Sequence, residues 1–361
     1  MKKLYPVLIL CLLSLVLLAT WYGASGNFYI RAYRSKRQEQ NVSVLSSPVA
    51  SEVSAVRETG GQEQDGSGSP VYYRDKVIAL IYHHFASPEE SVTISRERLV
   101  SHLDLLLKKG YRVIGLEQLM GFWEGRPLPP NAVLITIDDG YSSVYEIAFP
   151  ELKYRKMPAA VFVIGAYMGK SVNNLRHFGW GEAKEMDEQG ITIHSHTYNQ
   201  HYFGRGRDGV QRPSLEGPLA GETEQEFERQ VLEDLAKSRQ DLENSLGRKA
   251  YALAWPYGRA SDKARDIAAR LGFRLIFTTQ YGVITRRSNP LSLPRINVGT
   301  PKVSAADLDL ILKQAVGATG HESTGKDREV SRPRNGGGRT TGSESATQGT
   351  SVPSILTAKA E

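Results

Sequence analysis

Five of the eight histidines fall in two short stretches, His83-His84 and His194, His196 and His201, and the chain also carries an adjacent carboxylate pair, Asp138-Asp139, ahead of Gly140. Imidazole nitrogens joined by a carboxylate suit Zn²⁺ or another divalent first-row ion that keeps open positions for water. Neighbouring side chains on an extended segment point to opposite sides, so one aspartate is expected to bind the cation while the other faces the substrate water as a general base. A bound cation lowers the pKa of water, and a nearby carboxylate completes its deprotonation. That combination is the chemistry of metal-assisted hydrolysis of an amide or ester. Each piece alone has a plainer reading, because Asp-Asp-Gly after a strand is often only a turn and a lone histidine is usually a packing residue. Their joint occurrence argues for one site.

Every one of these residues ends or follows a short apolar run. His83-His84 follow VIALIY (77–82), Asp138-Asp139-Gly140 follow VLITI (133–137), the second histidine cluster ends ITIHSH (191–196), and Trp255-Pro256-Tyr257-Gly258 follow YALA. AVFVI (160–164) and RLIFTT (274–279) read as further strands. Between them lie helical patterns: one capped by Ser95 with Leu99, Leu103, Leu106 and Leu107, and one opened by the capping box Thr223 to Glu226 and stopped at Gly247. Repeated βα units imply a mostly parallel sheet, and about seven of them favour an α/β barrel of the distorted (β/α)7 type, with its site assembled from the C-terminal rim of several strands.

The charge balance narrows the partners. Of 45 Lys+Arg and 39 Asp+Glu, the first forty positions hold six basic residues (Lys2, Lys3, Arg31, Arg34, Lys36, Arg37) and one acidic residue (Glu39), leaving 39 against 38 in the other 321. No basic body remains for a phosphate backbone, which argues against nucleic acid as a partner. The single cysteine, Cys11, excludes an intramolecular disulfide. Leu4 to Ala24 is uncharged and long enough to cross a hydrocarbon core of ~30 Å, with Trp21 and Tyr22 suited to an interface. Residues 1–25 therefore read as a signal anchor that places the body outside the cytoplasm at the cell membrane, with secretion after cleavage as the alternative. Residues 26–71 read as a flexible linker, 72–316 as the folded domain, and 317–361 as a disordered tail.

Thr136-Ile137-Asp138-Asp139-Gly140 resembles the TFDDG signature of the polysaccharide deacetylases with the NodB homology domain, carbohydrate esterase family 4, and Ser195 to His201 resembles that family's second, metal-binding motif. In most of the family those histidines are four apart, whereas here they are five apart. This spacing, with Tyr82-His83 and Trp255-Pro256-Tyr257-Gly258, is similar to the branch that de-N-acetylates poly-β-1,6-N-acetylglucosamine. The resemblance implies Asp139, His196 and His201 as ligands of a divalent metal (Zn, with Co or Ni as alternatives), Asp138 as general base, the Tyr257 N–H as oxyanion donor, and His83 as general acid. Two family features are absent: the late Leu-x-His is replaced by Leu293-Pro294-Arg295, and Ala254 stands where an arginine would brace the base. Trp180, Tyr198, Trp255 and Pro256 are expected against the sugar. The implied activity is removal of acetyl groups from an N-acetylglucosamine polysaccharide. Two alternatives are a catalytically silent glycan-binding module, and a metallohydrolase of amidohydrolase type using His194 and His196, which would share a face of one strand.

Overall fold

The structure is a computed structural model that describes Gly68 and residues 70–317, so the expected signal anchor, most of the linker and nearly all of the tail lie outside the described residues. The elements that matter below are β1 (Lys76–Tyr82), α1 (Arg96–Lys108), α2 (Leu116–Trp123), β2 (Ala132–Ile137), α3 (Phe149–Tyr154), β3 (Ala159–Val163), α4 (Trp180–Glu188), β4 (Ile191–Ser195), β5 (Phe203–Arg205), β6 (Gln211–Pro213), α5 (Glu224–Leu246), β7 (Ala252–Ala254), α6 (Asp262–Arg270), β8 (Leu275–Phe277), β9 (Ile296–Asn297) and α7 (Ala305–Gly317). Among the described residues no helix is long and apolar enough to cross a membrane.

The main sheet runs β8-β7-β4-β3-β2-β1, with these neighbours paired in parallel, and β1 and β2 stay in register from Val77 opposite Ala132 to Tyr82 opposite Ile137. The result is an α/β half-barrel of parallel strands. Its two edges are joined by the segment that ends in β9. Leu293 bridges Phe277 of β8 in parallel, and three residues on, Ile296 pairs with Leu80 of β1. Of the distorted (β/α)7 barrel expected from the βα repeat, the structure shows this half-barrel. One wall is a thin strap rather than a full ladder, because Pro294 has no N–H to donate and this segment carries little β-structure of its own.

Alternation sorts each strand into two cores. Val77, Ala79, Ala132, Leu134, Ala160, Phe162, Ala252, Ala254, Leu275 and Phe277 pack together inside the curve, while Ile78, Leu80, Val133, Ile135, Val161, Val163 and Ile193 face the helices outside. Small alanines on the inner side let the strands close up at about the usual 4.8 Å spacing without overfilling the interior. Helix α5 starts at Thr223, whose side chain accepts the Glu226 N–H while Glu226 returns to the Thr223 N–H, and it ends on Gly247 at φ 69°. Its buried stripe covers β7 and β8 through Phe227, Val231 and Leu235. Ser95 likewise caps α1, although Leu107, expected on the buried face, is 49% exposed and His102 is buried in the same helix.

Candidate active site

The inner-face alternation continues past the strand ends and selects the site residues. The series Val77, Ala79, Ile81 continues to His83; Leu134, Thr136 to Asp138; and His194 to His196. The edge segment adds Leu293 and then Arg295. His84 falls on the other parity: its Nδ1 lies 3.2 Å from Thr93 Oγ1 and its ring stands edge-on to Tyr141. His83 keeps a buried Nδ1 that has no hydrogen-bond partner among the described residues, and it lies close enough to Asp138 to stabilise that carboxylate's negative charge.

Arg295 is 1% exposed and forms a fork on Asp138, with Nη1 to Oδ1 and Nη2 to Oδ2 both at 2.8 Å. Its remaining contacts are Nε to the Thr278 carbonyl at 2.9 Å and Nη1 to Thr136 Oγ1 at 3.0 Å, so the guanidinium is committed on three sides. Burial alone would raise the Asp138 carboxyl, but the charge of Arg295 holds it down to about 2. The bracing arginine that is absent at Ala254 is therefore supplied from the other edge of the sheet. An arginine alone between Leu293 and Ile296 in an apolar run was the available signal, since a buried cation requires a carboxylate.

Asp139 sits at φ 75°. That left-handed turn corrects the simple expectation that adjacent aspartates face opposite ways: the reversal brings the second carboxylate back over the same mouth. Asp139 Oδ1 is 3.4 Å from His196 Nε2 and 3.4 Å from His201 Nε2, and this buried oxygen has no hydrogen-bond partner among the described residues. The Tyr141 hydroxyl bonds to the same carboxylate. His196 Nδ1 lies 2.8 Å from the Ala254 carbonyl, which can only accept, so Nδ1 carries the proton. Burial brings the imidazole down to about 4, leaving it neutral with the Nε2 lone pair aimed at Asp139. Two acceptors facing each other at that distance repel unless a cation lies between them. Ligand atoms about 2.1 Å from a tetrahedral ion stand about 3.4 Å apart, so the Asp139, His196 and His201 set fits a divalent metal, its donor atoms all lying within 4.8 Å of one another.

The third loop enters from β7. Tyr257 is left-handed at φ 58° and is followed by Gly258 at φ 71°, where a Cβ would come within 2.4 Å of the Thr279 backbone nitrogen. The Tyr257 hydroxyl lies 3.3 Å from His201 Nδ1, and its ring carries Phe203 of β5 at 4.5 Å between centroids. Phe203 is 52% exposed. No residue pattern singles it out, because its hairpin (β5 with β6) shows no clear alternation.

Two of the four expected sugar contacts, Trp255 and Pro256, are corrected, while Trp180 and Tyr198 stay partly exposed. Trp255 and Pro256 are buried, and the Trp255 ring packs in the core under α5 and α6. Trp180 opens α4 and packs against the outer core. The Tyr198 ring already has Lys237 over it at 4.6 Å, and its edge crowds Gly165. His194 does share the inner face with His196, but one layer deeper. It is fully buried between Phe162 and Tyr251 and outside the ligand cluster, so the His194/His196 arrangement is not formed.

Residues 125–276 match the family described as polysaccharide deacetylase. This span holds both aspartates, the two histidines of the Asp-His-His donor set and Tyr257, and leaves His83 and Arg295 on either side. The chain is similar to the poly-β-1,6-N-acetyl-D-glucosamine N-deacetylase of Staphylococcus aureus, at 24% identity over 62% of this chain and 79% of that protein. It is also similar to the Escherichia coli protein of the same name, at 25% identity over 61% of this chain, but the match spans only 36% of that longer protein. Among solved structures, IcaB from Ammonifex degensii aligns at 30% identity with a TM-score of 0.57, covering 66% of this chain and 97% of that one.

Replacing Arg295 by methionine leaves Asp138 buried without its cation. The expected result is a loss of about 3–5 kcal/mol in chemical denaturation and at least a ~100-fold fall in hydrolytic turnover, with metal content unchanged because the three ligands are untouched. R295K restores the charge but not the fork, and recovers only part of either quantity.

Proposed function

The chain belongs to the polysaccharide deacetylase family, and on that premise we propose that it hydrolyses the N-acetyl groups of N-acetylglucosamine residues in a poly-β-1,6-linked surface polysaccharide, releasing acetate and leaving free amines. The observation that carries this reading is an ionised carboxylate, clamped by a buried arginine, beside an Asp-His-His donor set. The names of the staphylococcal and Escherichia coli relatives support the linkage.

Asp139, His196 and His201 would hold a divalent cation, zinc by donor type with cobalt or nickel as alternatives, which supplies positive charge to acidify water and polarise the acetamide carbonyl. Asp138, kept ionised by Arg295, takes the proton of the attacking water. The Tyr257 N–H, aimed by its left-handed backbone, donates to the carbonyl oxygen as negative charge develops there. His83, on the inner face next to Asp138, delivers a proton to the departing nitrogen so that the C–N bond breaks to a neutral amine. Phe203 and Tyr257 form an apolar ledge beside His201, taking the place expected of Trp255 and Pro256 against the sugar. The uncharged stretch from Leu4 to Ala24 supports anchoring at the membrane, with the catalytic body outside.

Purified full-length protein with added Zn²⁺, Co²⁺ or Ni²⁺ is expected to release acetate from β-1,6-linked N-acetylglucosamine oligomers and to stop on chelation. Release from β-1,4 but not β-1,6 oligomers would overturn the linkage, and release from neither would overturn the substrate class. In the same assay H83A should lower kcat by about 100-fold or more with metal retained, while H84A stays near wild type; the reverse pattern would reassign the acid.

A further inference from the structure

The segment between the two histidine ligands is gripped from outside by one face of α5. Asp234, Lys237 and Ser238 stand at i, i+3 and i+4, positions that neighbour one another on a helix. Asp234 is 8% exposed and accepts the Tyr198 N–H at 2.9 Å and the Asn199 N–H at 2.6 Å. Ser238 Oγ lies 2.8 Å from Ser195 Oγ, which in turn accepts the Thr197 N–H at 3.1 Å. Thr197 itself is at φ 71°, a strained conformation for a β-branched residue that persists only where its surroundings over-determine it. A left-handed residue followed by backbone N–H groups turned on one anion is a nest, and Asp234 is the anion.

Burying a carboxylate disfavours its charged form, and burial pushes Asp234 up to about 6 against the pull of the two N–H donors. Among the described residues no cation forms an ion pair with it. The loop beyond Thr197 belongs to no strand or helix, yet it must return His201 Nε2 to 3.4 Å from Asp139 Oδ1. The His201 side chain is 22% exposed, and its Nδ1 is held by the Tyr257 hydroxyl.

We propose that Asp234 is a positioning residue for the metal centre: by clamping residues 198 and 199 it fixes the His196-to-His201 loop, and so sets the affinity for the divalent cation without touching substrate. This rests on the ligand set assigned above, but its readout is independent of the substrate. Zn²⁺ and Co²⁺ are titrated into metal-free full-length protein against a chromophoric chelator, with hydrogen exchange followed over residues 197–201. D234N, which can accept only one of the two N–H groups well, is expected to weaken the dissociation constant about 10–100-fold and to speed exchange in the loop. At saturating metal, kcat should stay within about threefold of wild type. S238A removes a single hydroxyl and serves if D234N does not fold; about a threefold weaker constant is expected. An unchanged dissociation constant in a folded D234N or S238A overturns the proposal. So does a turnover defect that saturating metal leaves in place. Wild-type protein that binds neither ion overturns the clamp and the ligand set together, whereas metal binding without acetate release overturns only the substrate reading.

Discussion

A guanidinium buried inside a protein requires a partner, and the pairing of Arg295 with Asp138 sets the rest of the site. The pair lies at the mouth of the curved sheet with both side chains almost fully covered, where an unpaired charge of either sign would be costly. Satisfying it requires the Leu293–Asn297 strap to run between β8 and β1, so that one end of the strap bonds to Phe277's strand and the other to Leu80. The electrostatic requirement of Asp138 and the pairing of the strap with both sheet edges are therefore one structural fact. A carboxylate that would be protonated by burial alone is kept available as an acceptor of protons.

Around this fixed charge, the chain reverses direction at three strand ends through residues that rarely adopt a left-handed backbone: Asp139, Thr197 and Tyr257. Each reversal turns a functional group back over the mouth rather than out along its strand. The strain of each is held by specific neighbours: Tyr141 on Asp139, the α5 face on the Thr197 loop, and Gly258 packed against Thr279 behind Tyr257. Strained backbone at a reactive centre preorganises the groups that act there.

Much of this was legible in the sequence. Period-two alternation located the strands, and once the inner face is known the same alternation separates His83 from His84 and predicts that Asp138 and His196 share the mouth. The caps at Ser95 and Thr223 and the stop at Gly247 were readable because local hydrogen bonding decides them. What was not legible depended on contacts between distant residues. Arg295 was visible as a lone charge in an apolar segment, but nothing local said which carboxylate it would meet 157 positions away. Asp234 and Ser238 interrupt the apolar stripe of α5 between Val231 and Leu242 and could have been marked as buried polar residues awaiting partners. The burial of Trp255 is not legible either, because an aromatic beside a strand-end loop looks the same in sequence whether it faces the solvent or the core.

The most direct test lies in Asp138→Asn, which keeps the shape of the side chain and removes its ability to take a proton. Metal content and acetate release from N-acetylglucosamine oligomers are measured on the same preparation. If the Arg295-clamped carboxylate is the base beside an independent Asp139, His196 and His201 metal centre, the variant retains a full complement of metal and loses about 10²–10⁴-fold in kcat. Turnover close to wild type, or loss of the metal along with the activity, would contradict that division of roles.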